Sequence, residues 1–279
     1  MKVLSFVFGL LILVVLVILG GKLHWRLSTA ELIEQMRASN ENSPAIVDDS
    51  PSFTALPEPV QRYFSMVLKR NAPWPEQVVI RHEGEFNMGS DAQPNWRPMA
   101  SEQTIQIQGA GFVWDARITM APLMTAHVHD AYVDGQGLLR ARLFGGIPVM
   151  SASASDELNE GELMRYLAEA PWYPYRLLPS ASLRWQGINA SQARATLTDD
   201  DTSVSVVFTF DDTGLITQMD ATRYRDVDGR LILTPWQGQL WNYKHHNDVL
   251  IPMSGHVGWR INDSTQLYWK ADIVSIESR

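Results

Sequence analysis

The sequence predicts a mainly β protein. An antiparallel meander of about 11–12 strands curls into an open half-barrel, covered by one or two helices, behind an N-terminal transmembrane helix. Three observations predict it. From Gln77 onward apolar residues recur with period two. Turn signals such as "VDGQG", "FGG", "DDTG", "VDGR" and "HHND" punctuate that pattern every 8–12 residues or so. A long uncharged apolar run opens the chain.

That run, "VLSFVFGLLILVVLVILGG", lies between Lys2 and Lys22 and would be about 28 Å long as a helix, close to the hydrocarbon thickness of a bilayer. It is long for a cleaved signal peptide, and a cut at its glycines would leave Ile18 or Leu19 where a small residue is required. A retained membrane anchor is therefore expected, with residues 3–21 in the membrane. Lys2 on one side nearly balances Lys22 and Arg26 on the other, so the charges leave the orientation open. The expected location is a single-pass membrane protein with an extracytoplasmic, periplasmic domain.

The expected organisation is an anchor at 1–21, a short helix and linker at 22–55, and a single half-barrel domain at 56–279 with helices near 57–70 and 156–170. Ser28 and Glu31 have capping-box spacing and predict the start of the short helix, and the proline-broken "NENSPAIVDDSPS" reads as linker. In "LPEPVQRYFSMVLKR", Pro57 and Pro59 are tolerated in a first turn, and Val60, Tyr63, Phe64 and Val67 form one helical stripe. Strands are clearest in "QTIQIQ", "SVSVVFTF" and "QLYWKADIVSI". Their apolar faces are Ile105 and Ile107, then Val204, Val206, Phe208 and Phe210, then Leu267, Trp269, Ala271 and Ile273. One helix, "SDELNEGELMRYLAEA", interrupts the meander, and "PWYPYRLLP" follows it directly. Prolines at that density exclude regular structure, while Trp172, Tyr173 and Tyr175 are too large to leave in water. The segment is expected to cover the mouth of the curved sheet, its rings filling the hollow beneath.

Composition narrows the function. Hydrophobic residues make up 45% of the 279, enough for a packed core. A formal net charge of -8 argues against nucleic acid, which requires a basic face. Without cysteine there is no disulfide, thiolate catalysis, cysteine-ligated metal or lipid attached at a cysteine.

The segments "LPEPVQRYF", "GFVWDARI", "DAYVDGQG", "LFGGIPV", "GELMRYLAEAPWYPYRLLP", "ATRYR" and "TPWQGQ" resemble an uncharacterised bacterial family with one N-terminal membrane segment. The resemblance runs from Leu56 nearly to the end and brings no activity with it. In architecture alone, the order of meander and helix is similar to the LolA/LolB-like lipoprotein carriers, open barrels that shelter acyl chains. This chain departs from those carriers in keeping an anchor and lacking a lipidation cysteine.

Few clusters point to chemistry. On a strand His127 and His129 share a face about 6.7 Å apart, a workable spacing for two metal ligands, but no third ligand is evident. Asp115 and Arg117 share one strand face, as do Arg140 and Arg142. They read as surface ion pairs, or alternatively as a rim meeting an anionic head group. Glu157, Glu160, Glu162 and Glu169 share a helix without forming an evident acid–base pair, and no nucleophile elbow, zinc-protease or phosphate-loop motif is present. The leading expectation is a membrane-tethered binding protein holding a lipid or other hydrophobic ligand. Its cavity or lid residues are expected to be Trp172, Tyr173, Tyr175, Trp114, Arg117 and Trp236. The alternatives are an envelope interaction module with a filled core, and a metal-dependent hydrolase around His127 and His129. No cofactor is expected, and the sequence names no protein partner.

Overall fold

The computed structural model describes residues 2–40, 53–69, 74–90, 93–152 and 154–279. Beyond residue 40 the expected linker at 40–52 lies outside the described residues. The chain begins with one continuous helix, α1 (Lys2–Asn40). This corrects the expected break between an anchor ending at 21 and a helix opening at Ser28. No proline interrupts the segment, and the Ser28 hydroxyl accepts a hydrogen bond from Arg140 Nη2 at 2.5 Å instead of capping a new helix. A short helix α2 (Glu58–Val67) follows, and its stripe of Val60, Tyr63, Phe64 and Val67 is fully buried, as the spacing predicts.

Thirteen strands form one antiparallel sheet among the described residues, slightly more than the 11–12 expected. They are β1 (Gln77–Asn87), β2 (Trp96–Gln106), β3 (Gly111–Ala121), β4 (Met124–Val133), β5 (Gln136–Leu143) and β6 (Ile147–Ala152). After helix α3 (Asp156–Ala168) come β7 (Leu183–Asn189), β8 (Gln192–Asp199), β9 (Thr202–Phe210), β10 (Ile216–Val227), β11 (Arg230–His246), β12 (Val249–Ile261) and β13 (Ser264–Ser278). The spatial order is β6-β5-β4-β3-β2-β1-β13-β12-β11-β10-β9-β8-β7. The chain thus enters the sheet at its centre, walks out to one edge at β6, crosses to the other edge at β7, and walks back until β13 pairs with β1. The edges do not meet, so the sheet is an open barrel. Its crossover is α3 with the proline-rich segment, which explains why a helix interrupts an otherwise continuous meander.

Local chemistry makes the hairpins. Asp134–Gly135, Asp228–Gly229 and Asn262–Asp263 each join strands in two residues, and both residues of each pair have positive φ. This mirror-image turn matches strand twist and favours Asn, Asp and Gly. Asn247–Asp248 closes the "HHND" hairpin as its composition predicts. Alternation then sends Ile105, Ile107, Val204, Val206, Phe208 and Phe210 inward to a core shared with α2 and α3.

The two ends of the strands differ. At one end, α2 and the rings of Tyr63, Phe64, Tyr166 and Tyr173 fill the hollow; Tyr166 OH donates to Gln106 O at 2.7 Å, and Tyr63 packs on Phe210. The other end carries the turns at 122–123, 144–146, 228–229 and 262–263. The first half of α1 leaves from that second end. Gly21 packs on the β5–β6 turn so tightly that a Cβ would meet Phe144 O at 2.8 Å, and a Cβ on Gly145, at φ +74, would meet Gly21 O at 2.8 Å. From there α1 runs along the convex face until Arg37 Nη2 donates to Gln77 Oε1 at 3.0 Å. Leu32 and Met36 bury against Val113 and Ala131. The apolar residues preceding Gly20 project past the sheet and are nearly all exposed, in a helix long and apolar enough to cross a bilayer.

Candidate functional site

The concave face encloses a cavity of about 570 Å³, within the range typical of small-molecule sites. Its floor is aromatic, with Trp236 from β11, Trp259 from β12, and Tyr268 and Trp269 from β13. Trp172, from the crossover, and Trp114, from β3, also face it. Phe86, Asp226, Leu231 and Trp259 all lie within three residues of the strand ends from which α1 leaves, whereas Trp114, Asp130 and Met219 lie nearer the opposite end.

One wall is charged. Leu158, Glu162 and Arg165 of α3, with Glu169 at its C-terminal cap, follow each other at helical spacing and face the cavity. Arg165 bridges two carboxylates, Nη1 to Asp130 Oδ2 at 2.5 Å and Nε to Glu169 Oε1 at 2.8 Å. Its guanidinium also lies over the rings of Phe112 and Trp114, 4.9 Å from each centroid. Gln103 Nε2 donates to the second Glu169 oxygen at 2.6 Å. Arg223, from β10, donates to Gly161 O at 2.9 Å, stands 3.8 Å from Glu162 and lies over Trp236. Glu162 is buried, with its carboxyl against that of Asp130. Burial, and then Asp130, raise its pKa well above the usual carboxylate range, against the pull of Arg223 and Arg165. A carboxyl raised in this way keeps its proton beyond the usual carboxylate range. His82, wedged between Trp172 and Trp269, is likewise held neutral, since burial and then Arg165 push its pKa down to about 3.

Of the residues expected at the site, Trp114, Trp172 and Trp236 line the cavity. Tyr173 and Tyr175 do not. Tyr173 OH donates to Tyr166 O at 2.6 Å, and Tyr175 packs against Trp74, so both belong to the packing behind Trp172. Arg117 is on the wrong face. Alternation along β3 sends Trp114 and Ala116 inward and Asp115 and Arg117 outward, and Arg117 is exposed on the convex side. From sequence, Glu162 and Glu169 are weighed only as an acid–base pair and Arg165 between them is left out, although their i, i+3, i+7 spacing beneath Leu158 marks a charged stripe on a helix that must cover something. Asp130 was also legible, as the inward neighbour of His129.

The histidine pair shares a face, as its spacing predicts, but that face is the convex one beneath α1. Trp25 stacks on His129 at 3.7 Å between centroids and donates Nε1–H to Asp115 Oδ1 at 2.9 Å. Arg140 Nε donates to His129 Nδ1 at 3.1 Å, which fixes that nitrogen as the acceptor, so Nε2–H donates to Thr29 Oγ1 at 2.7 Å. Burial, followed by Arg140, His127 and Arg142, drives the His129 pKa down to about 3. With both nitrogens engaged and cations around it, His129 fastens a helix and does not offer a metal ligand. Among the described residues no group of three His, Asp or Glu side chains is arranged to hold a metal ion.

In overall shape the chain is similar to a LolA superfamily protein, NE2245, from Nitrosomonas europaea. The TM-score is 0.40 at 9% identity, over 79% of this chain and 92% of that one. No curated protein matches. A family model covers residues 54–277, the whole sheet with α2, α3 and the crossover, and by that match the chain belongs to the family of unknown function DUF6920.

Proposed function

We propose that the protein is a membrane-tethered binding protein that holds a lipid or other hydrophobic ligand in its half-barrel. One observation carries the reading: the aromatic floor of the cavity, Trp236, Trp259, Tyr268 and Trp269, lies toward the end of the sheet from which the apolar helix departs. If residues 3–21 span the bilayer, that end faces the membrane. Part of that end is apolar to match, with Leu123 99% exposed and Ile147, Val149, Leu231, Ile232 and Leu233 also uncovered, beside the polar turns at 228–229 and 262–263. Such an apolar rim fits a lipid surface better than water. A ligand leaving the bilayer would pass that rim and meet indole rings, where burial of its chain supplies the affinity.

Native mass spectrometry of the full chain released from membranes tests the reading. Wild type should carry a co-purifying apolar molecule. Ala152→Trp, an exposed cavity-lining position on edge strand β6, should carry much less. Wild type that is empty and binds no added lipid contradicts the proposal. The domain is further proposed to lie outside the cytoplasm. Because the chain lacks cysteine, a Ser191→Cys variant, in the exposed β7–β8 turn at the opposite end, labelled in intact cells by an impermeant maleimide supports this, and labelling only after lysis contradicts it.

A further inference from the structure

The polar wall of the cavity has a hydrogen-bond pattern that its own residues leave incomplete. Trp114 and Trp172 both line the cavity, both are buried, and neither indole N–H has an acceptor. Arg223 Nε is a third buried donor without a partner. A buried donor left unpaired is costly, and native proteins keep few of them. Among the residues that line the cavity, the unpaired acceptors are Glu162 Oε2 and Asp130 Oδ1; Gln103 Oε1 and His82 Nε2, behind the lining, are unpaired as well. The first two belong to neighbouring carboxyls, and the proton that burial keeps on Glu162 is available to donate to Asp130. What remains unmet along the lining itself is donors only.

The charges are already balanced. With that proton in place, the buried wall holds the cations Arg165 and Arg223 against the anions Asp130 and Glu169. Every contact of the Arg165 and Arg223 guanidiniums described above goes to a carboxyl group, a backbone carbonyl or a ring face. A ligand carboxylate, phosphate or ammonium placed here would bring a charge with no counter-ion, which a buried site tolerates poorly. At the mouth, Asp226 and Glu157 oppose an entering anion.

On the reading of the cavity as a hydrophobic-ligand site, we infer that this wall is a subsite for an uncharged hydrogen-bond acceptor, so that the cavity takes an acyl chain ending in an ester or amide carbonyl in preference to a free fatty acid or an alkylamine. The indole N–H groups of Trp114 and Trp172 and Nε–H of Arg223 donate to the carbonyl oxygens, while the chain lies along Trp236, Trp259 and Trp269.

The test compares three probes of equal chain length, monooctanoylglycerol, octanoate and octylammonium. Each is titrated calorimetrically into the full chain in phosphatidylcholine nanodiscs, with the heats of empty discs subtracted. The ester should bind at least about tenfold more tightly than either charged probe. Trp172→Phe keeps a ring and removes the donor, so it should weaken the ester about fivefold, leave the charged probes unchanged and raise the melting temperature of the empty protein. Octanoate or octylammonium binding as tightly as the ester overturns the inference and leaves the binding function standing. Equal weakening of all three probes by Trp172→Phe also overturns it, because only packing would then have been lost. If no probe binds and no native ligand co-purifies, the binding function falls and the subsite with it.

Discussion

Glu162→Gln isolates the proton kept on the cavity wall. The groups facing Glu162 are Asp130 from β4, Arg165 on α3 and Arg223 from β10. Its folded pKa stands well above the unfolded value of about 4.3. Between those two values the native state therefore binds one more proton than the unfolded chain, so stability falls as pH rises across the interval. One proton corresponds to about 1.4 kcal/mol per pH unit. For a domain of this size that is roughly 3–6 °C in melting temperature per pH unit. Glutamine reproduces the protonated acid, since its amide N–H₂ donates to Asp130 and its charge never changes. In thermal unfolding of the full chain in nanodiscs, the variant should match wild type near pH 4.5. It should become progressively the more stable protein from about pH 5 upward, until Glu162 ionises in the native state. Other titrating groups are common to both proteins and cancel in the difference. Parallel curves for the two proteins over pH 5–8 would refute the retained proton.

Three further outcomes follow from the same structure. Arg165→Gln leaves Asp130 and Glu169 buried without their cation and should cost about 3–5 kcal/mol, read as a lower denaturation midpoint; a loss under about 1 kcal/mol would show the network to be solvated. His82 has the opposite linkage to Glu162. Its pKa falls to about 3 on folding, so its contribution is complete above the unfolded value of about 6.5 and is lost as pH drops toward 3. His82→Phe should accordingly flatten the acid side of the stability curve, and an unchanged acid slope would contradict the burial of a neutral ring. Trp25→Ala removes an indole that is 2% exposed and holds Asp115 and His129. Amide exchange should then speed up across residues 25–37 of α1 with little change in β10–β13, whereas uniform acceleration would mean that α1 is integral to the barrel.

Much of the fold was legible because strands and helices impose different periods on the same chain. Period two placed Val204, Val206, Phe208 and Phe210 inside, and helical spacing did the same for Val60, Tyr63, Phe64 and Val67. The order of strands was not legible. Nothing local tells β1 that its second neighbour is β13, about 190 residues later. The capping box at Ser28 misled because a serine hydroxyl inside a helix has the same sequence signature whether it caps that helix or meets an arginine of another element. The candidate site divides in the same way. Trp114, Trp172 and Trp236 followed from size and alternation, whereas Arg117 could not share a cavity with Trp114, since positions three apart on a strand face opposite ways. The charged wall escaped notice because its partners, Asp130, Arg165 and Arg223, come from three separate elements and meet only when the sheet curls.

The most direct test of the cavity as a lipid site is photocrosslinking in living cells. Benzoylphenylalanine would replace Tyr268, which lines the cavity, or Val274, which is exposed farther along the same strand. Irradiation followed by mass spectrometry of the purified full chain should show a lipid adduct at position 268 and none at 274. No adduct at either position, or equal adducts at both, would contradict a ligand held inside the half-barrel.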